Sequence, residues 1–247
     1  MNTKSIFFGE FIGTFILVFI GCGAVSLAVI YAFFDSLLEI ALCWTFGVTL
    51  GIYSSSKLSG AHLNPAVTIA FLANKKISIT SLWVYISAQF LGALLAGFIL
   101  FLSIENDIEN FNIGTACIFG EYFPNPGYEN LSWVTLPIAF LVELIATSLL
   151  IYLIFVVISI KKLGRFSPTL IGIIVGILIY IFAPYTQCCM NPARDFGPRI
   201  VSYFFGWQEI AFSFNGLGWL LVYIVAPLAG GWLGALMFSN TLKNRLS

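Results

Sequence analysis

Six stretches of this chain are each apolar for long enough to cross a bilayer as a helix, which leaves little sequence for anything else. They run over about residues 6–30, 37–56, 81–103, 133–159, 167–186 and 217–239, where a spanning helix needs roughly 20 residues. Strands of about ten residues with strict alternation, the mark of a membrane barrel, do not occur in the sequence. The expected fold class is therefore an all-α membrane protein with six transmembrane helices. Charge content agrees: only 9% of the 247 residues are charged, and 11 Lys and Arg balance 11 Asp and Glu. So few charges cannot solvate the surface of a soluble enzyme of this length. A disordered chain is excluded by the 60% hydrophobic content, and nucleic acid is not an expected partner because no basic patch exists. The first run carries Glu10 early and outlasts a signal-peptide core, so it reads as a retained span. The five cysteines have neither zinc-finger nor CxxC spacing. No metal or cofactor is expected, and Cys22, Cys43 and Cys117 read as small apolar filler.

Two further segments, 62–74 and 189–204, are apolar enough to lie in a membrane but too short to cross it. Both contain Asn-Pro-Ala: Asn64-Pro65-Ala66 and Asn191-Pro192-Ala193. The halves of the chain match elsewhere too. Glu10-x3-Thr14 in the first span echoes Glu143-x3-Thr147 in the fourth. Leu91-Gly92-Ala93 in the third span echoes Leu233-Gly234-Ala235 in the sixth. This is an internal repeat, about 1–103 and 133–247 around an outer loop of about 104–132, within one membrane domain. With three spans per half, the second half must be inverted relative to the first. Charge gives the orientation. Lys4, Lys75, Lys76, Lys161, Lys162, Arg165, Lys243 and Arg245 fall on one side of a six-span layout. The loop 104–132, on the other side, carries Glu105, Asp107, Glu109, Glu121 and Glu129 and neither Lys nor Arg. The positive-inside rule then puts both termini in the cytoplasm of a multi-pass protein of the cell membrane.

Irregular backbone at membrane depth must be buried in protein or line a watery cavity. Pro65 and Pro192 suit the first turn of a helix, and Asn64 and Asn191 before them are strong N-caps. Each motif therefore opens a half-helix, about 65–74 and 192–204, and inversion makes the two N-termini face each other at mid-membrane. Two half-positive helix ends aimed at one spot repel cations and protons, while Asn amides donate to a neutral oxygen. The arrangement suits a pore for uncharged hydrogen-bonding solutes. An anion site is the competing use of helix N-termini.

The strings Ser59-Gly60-Ala61-His62-Leu63-Asn64-Pro65-Ala66-Val67-Thr68 and Met190-Asn191-Pro192-Ala193-Arg194-Asp195-Phe196-Gly197-Pro198 resemble the two signature loops of the aquaporin, or major intrinsic protein, family. The likeness covers nearly the whole chain. It implies an aquaporin-like right-handed bundle with two re-entrant half-helices, one pore per protomer and a homotetramer in the lipid bilayer. Asp195 after Arg194, Arg199 four residues on, Pro227-Leu228 and the string from Asn191 to Pro198 resemble the glycerol-facilitator branch. Carried over residue by residue, the family's selectivity filter falls on Trp44, Ile179, Cys188 and Arg194. Trp44 and Arg194 suit glycerol, by a wall for its carbon edge and two donated hydrogen bonds. A glycerol facilitator resembling this chain usually has Gly and Phe where Ile179 and Cys188 stand. The competing reading of Arg194 is an ion pair with Asp195, and Asp195 is also expected to orient its loop. His62 resembles the family's pore-lining His, with a hydrogen-bonded structural role. Glu10 and Glu143 resemble its buried acceptors for loop N–H groups.

The resulting expectation is a passive channel, not an enzyme, for glycerol, water and similar small neutral solutes that excludes ions. A mainly water-selective channel is the alternative, and an ion-coupled secondary transporter, whose ion site would have to use Glu10 or Glu143, is the rival from another class.

Overall fold

The structure, a computed structural model, describes residues 2–241. All regular structure among the described residues is helical. Six helices among the described residues are long and apolar enough to cross a membrane. In chain order the elements are α1 (Thr3–Val29), α2 (Leu37–Ser59), the short α3 (Pro65–Ala73), α4 (Ile79–Ile104), α5 (Leu136–Ser159), α6 (Ser167–Thr186), the short α7 (Pro192–Ser202) and α8 (Gly218–Thr241). The expected spans are all present. Their ends differ by a few residues because polar caps, not the last apolar residue, stop the helices. α1 starts after Asn2, whose side chain accepts from the Ser5 N–H, and α2 after a capping box of Ser36 and Glu39. Lys243 and Arg245 lie outside the described residues.

The two halves fold alike and exchange their short helices. α1 packs on α2 and α4, and α5 packs correspondingly on α6 and α8. The half-helix α3 belongs to the first half but packs on α8 of the second. α7 belongs to the second half and packs on α4 of the first. Both contacts need glycine, because the backbones nearly touch. A Cβ on Gly231 of α8 would stand 2.5 Å from the carbonyl oxygen of Ala66, and one on Gly97 of α4 would stand 2.7 Å from the Cα of Pro198. Small residues at such crossings take the place of a hydrophobic force that lipid cannot supply between helices. Large apolar side chains such as Leu42, Phe46, Trp83 and Trp232 are more than half exposed or close to it, as a lipid-facing surface requires.

The loop between α4 and α5 does not simply cover one end of the bundle. Its segment 116–123 is buried, including Ile118, Phe119, Glu121 and Tyr122. Tyr31 Oη donates to Asp107 Oδ2 at 2.5 Å and so ties the short α1–α2 connection to this longer one.

Candidate functional site

Each half-helix is preceded by a turn that carries left-handed backbone at the same two non-glycine positions, and the second turn has a third at Gln187. Ala61 and Leu63 stand three and one residues before Asn64 with φ of 56° and 54°. Cys188 and Met190 stand three and one before Asn191 with φ of 61° and 49°. Such conformations cost about 1–3 kcal/mol each and persist only where the surroundings impose them. The surroundings are two buried carboxylates. Glu10 accepts from the backbone N–H of His62 (2.9 Å) and Leu63 (2.6 Å), from Ser59 Oγ (2.6 Å) and from Gln89 Nε2 (2.7 Å). Glu143 accepts from the N–H of Cys189 (2.8 Å) and Met190 (2.9 Å) and from Thr186 Oγ1 (2.6 Å). The same two N–H groups before each Asn and a hydroxyl five residues before it meet one carboxylate in each half. Glu10 and Glu143 thus make the contacts expected of loop acceptors. The Thr14 and Thr147 hydroxyls of the paired Glu-x3-Thr strings are buried without a partner among the described residues.

The turns deliver the two Asn side chains to each other's loops. Asn64 Oδ1 accepts from Ala66 N at 2.7 Å and its Nδ2 donates to the Met190 carbonyl at 2.7 Å. Asn191 Oδ1 accepts from Ala193 N at 3.1 Å and its Nδ2 donates to the Leu63 carbonyl at 2.9 Å. Pro65 and Pro192 occupy the first helical turns, where no intrahelical N–H bond is lost. The half-helix N-termini therefore abut, as the repeat predicts.

Two cavities with polar and apolar walls lie along a path past this junction. A cavity of about 480 Å³ is lined by Trp44, His62, Leu63, Asn64, Ile179, Cys188, Asn191 and Arg194, and reaches Gly164 and Arg165 on the α5–α6 connection and Pro168 in the first turn of α6. A second, of about 160 Å³, is lined by Val29, Leu37, Cys117, Asn125, Pro126 and Tyr128 toward the opposite face. Trp44, Ile179, Gln187 and Arg194 line both cavities, so the path narrows between them at these side chains. The structure therefore brings together Trp44 of α2, Ile179 of α6, Cys188 of the second re-entrant turn and Arg194 of α7. The Arg194 guanidinium lies over the Trp44 ring, 4.5 Å from its centroid. His62 lines the path as well. Its ring stacks on Tyr85, with centroids 4.2 Å apart, touches Phe71, and has Nδ1 3.3 Å from Thr68 Oγ1, which suits a fixed structural side chain.

The structure rejects the competing reading of Arg194 and departs from the sequence reading at Glu121. Asp195 does not pair with Arg194. Its carboxylate takes Arg199 through Nε (3.0 Å) and Nη2 (2.7 Å), the i,i+4 neighbour on the same face of α7, whereas Arg194 points into the path. And Glu121, read from sequence as one of several acids on an outer loop, lies in the pore. It is 1% exposed, lines the larger cavity and sits 2.7 Å from Arg194 Nη2. Arg194 therefore keeps only one terminal nitrogen, Nη1, without a protein partner. Gln187 at the narrow point was also not legible. No spacing singles it out, yet its Oε1 accepts from Tyr122 N at 2.8 Å and its Nε2 donates to the Cys117 carbonyl at 3.1 Å. Among the described residues no group of three or more His, Cys, Asp or Glu side chains could hold a metal.

Known proteins resemble this chain along its length. The family model described as Major intrinsic protein matches residues 1–238. The chain is 34% identical to the glycerol uptake facilitator protein of Haemophilus influenzae, over 96% of this chain and 94% of that one. It is 35% identical to the protein of the same name from Pseudomonas aeruginosa, over 92% and 84%. The solved structure of the aquaglyceroporin from Plasmodium falciparum superposes with a TM-score of 0.87 at 27% identity, covering 99% of both chains. With six spanning helices, two facing half-helices and a family match over all but its last residues, this multi-pass membrane protein belongs to the major intrinsic protein family.

Proposed function

We propose that this protein is a passive channel for glycerol and other small uncharged solutes, with water. The observation that carries the reading is the path itself: two cavities that meet at Trp44, Ile179 and Arg194, directly beside two facing half-helix N-termini. Trp44 and Ile179 wall one side of the narrow point and Arg194 donates from the other. Asn64 and Asn191 hold the half-helices together at mid-pore, where the positive ends of both disfavour cations and protons. The relatives named as glycerol uptake facilitators support glycerol as the solute class. Glu10 and Glu143 are saturated by loop N–H groups and hydroxyls, which supports a channel over an ion-coupled transporter. On this reading the chain is one channel domain that works as a homotetramer in the cell membrane, with both termini in the cytoplasm.

Proteoliposomes under an inward glycerol gradient test it. Glycerol uptake is expected to be fast and only weakly temperature-dependent, and uptake no faster than through protein-free vesicles would sink the proposal. Cys188 gives a second check. It lines the larger cavity next to Arg194, and its Sγ donates to the Leu178 carbonyl at 3.4 Å. A mercurial is expected to block flux and Cys188→Ala to relieve most of the block. Inhibition of equal depth in the variant would take Cys188 out of the path.

A further inference from the structure

The residues that line both cavities are Trp44, Ile179, Gln187 and Arg194. Cys188, expected in that set, lines only the larger cavity, with its Sγ on the Leu178 carbonyl at 3.4 Å. The narrow point therefore has Gln187 as a wall where the sequence puts Cys188.

The backbone shows that a side chain at this position is not incidental. The repeat pairs Gln187 with Gly60. Each stands four residues before its Asn and caps the helix that leads into the turn, with its N–H on the carbonyl four residues back, at 2.9 and 3.0 Å. Both are left-handed, with φ of 59° at Gln187 and 85° at Gly60. The first half has the residue that adopts this conformation without a steric penalty, and the second half has a glutamine in spite of it. The amide supplies what offsets the penalty. Oε1 accepts from Tyr122 N at 2.8 Å, and Nε2 donates to the Cys117 carbonyl at 3.1 Å. Cys117 and Tyr122 are both buried, at the two ends of the loop segment that lies in the bundle, so one side chain fastens that segment to the second re-entrant turn. With both ends of its amide bonded to the loop, Gln187 meets the path as bulk and leaves hydrogen bonding to Arg194.

We propose that Gln187 is a specificity-determining residue of the pore: held in place by the loop, it sets the width of the narrow point and so rejects solutes broader than glycerol. This rests on the glycerol-channel reading above and deepens it. A closely fitting wall discriminates about tenfold or more for one extra methylene. Trimethylolmethane is glycerol with a methylene inserted between the central carbon and its hydroxyl. It keeps the same hydroxyls and is broader by that one group. The ratio of its permeability to that of glycerol therefore reads width at constant hydrogen-bonding capacity, and does not depend on how much protein reaches the membrane.

The experiment compares wild-type channel, Gln187→Gly and Gln187→Asn in phosphatidylethanolamine–phosphatidylglycerol vesicles. Both fluxes come from stopped-flow light scattering, after subtraction of the flux through protein-free vesicles. Gln187→Gly places at 187 the residue that the first half has at 60, so the backbone is relieved while the wall is removed. The ratio is expected to rise about tenfold. Gln187→Asn tolerates left-handed backbone and keeps an amide drawn back by one methylene, and is expected to raise the ratio by less, about threefold. If the Gly variant does not assemble, the Asn variant alone decides. A rise beyond twofold in an assembled variant that conducts glycerol supports the role of Gln187. A ratio within twofold of wild type, or below it, overturns that role and leaves the channel reading intact. A wild-type channel that passes water but no glycerol overturns both.

Discussion

Glu143→Ala is expected to remove the channel from the membrane rather than to slow it. The carboxylate accepts from two backbone N–H groups and one hydroxyl, and it is fully buried. The alanine variant leaves Cys189 N and Met190 N without their acceptor, in surroundings where water does not substitute. Each orphaned group costs about 1–3 kcal/mol. The loop also loses what holds Cys188 and Met190 in left-handed backbone, so the strain there is no longer opposed. The combined effect, about 3 kcal/mol or more, is large against the 5–15 kcal/mol that separates most folded proteins from unfolded ones. The measurement is the yield of folded channel in mild detergent and its thermal midpoint, with Glu143→Gln alongside. The glutamine retains one oxygen acceptor and is expected to fall between. An alanine variant with wild-type yield, midpoint and flux would show that the loop is held by something other than this carboxylate.

Gly21→Ala is expected to act on the pore without entering it. A Cβ at Gly21 would stand 2.3 Å from three atoms of the Trp44 ring. Ordinary contact is about 3.5 Å, so the indole must shift by about 1 Å. It cannot shift freely, because the Arg194 guanidinium lies over the ring, 4.5 Å from its centroid. A displaced ring changes the narrow point that Trp44 shares with Ile179, Gln187 and Arg194. Overpacking of this kind costs about 1–3 kcal/mol. If the barrier to glycerol carries it, flux falls about tenfold or more, with the amount of folded channel little changed. The second variant Gly21→Ala/Trp44→Phe replaces the indole by a smaller ring and is expected to recover part of the flux. Undiminished glycerol flux in the single variant would mean that Trp44 does not bound the path.

The sequence by itself determined the layout. Six apolar runs, two Asn-Pro-Ala strings at matching places and two Glu-x3-Thr strings specify spans, half-helices and inverted repeat. Each of these signals is local: a run of hydrophobicity, a cap, a proline after an Asn. The contacts of Glu10 and Glu143 were legible only through the family resemblance, which implied buried acceptors for the loop N–H groups; the repeat showed that the two residues correspond. Only the tertiary structure decided what closes the narrow point. Glu121 and Arg194 are 73 residues apart in sequence, and the loop that joins them to one site has no periodicity to betray its course. In sequence Glu121 is one of five acids on a loop without a basic residue, which is the pattern of a solvated surface. Asp195 stands next to Arg194 and was free to pair with it. The helical turn instead aims Asp195 at Arg199, four residues on, and leaves Arg194 to the pore. Gly21 likewise reads as a small residue in a greasy helix until Trp44 is found against it. Hydrophobic patterning says which face of a helix is buried. Which charged groups meet at a point inside the bundle depends on how distant segments fold back on one another, and local pattern carries no record of that.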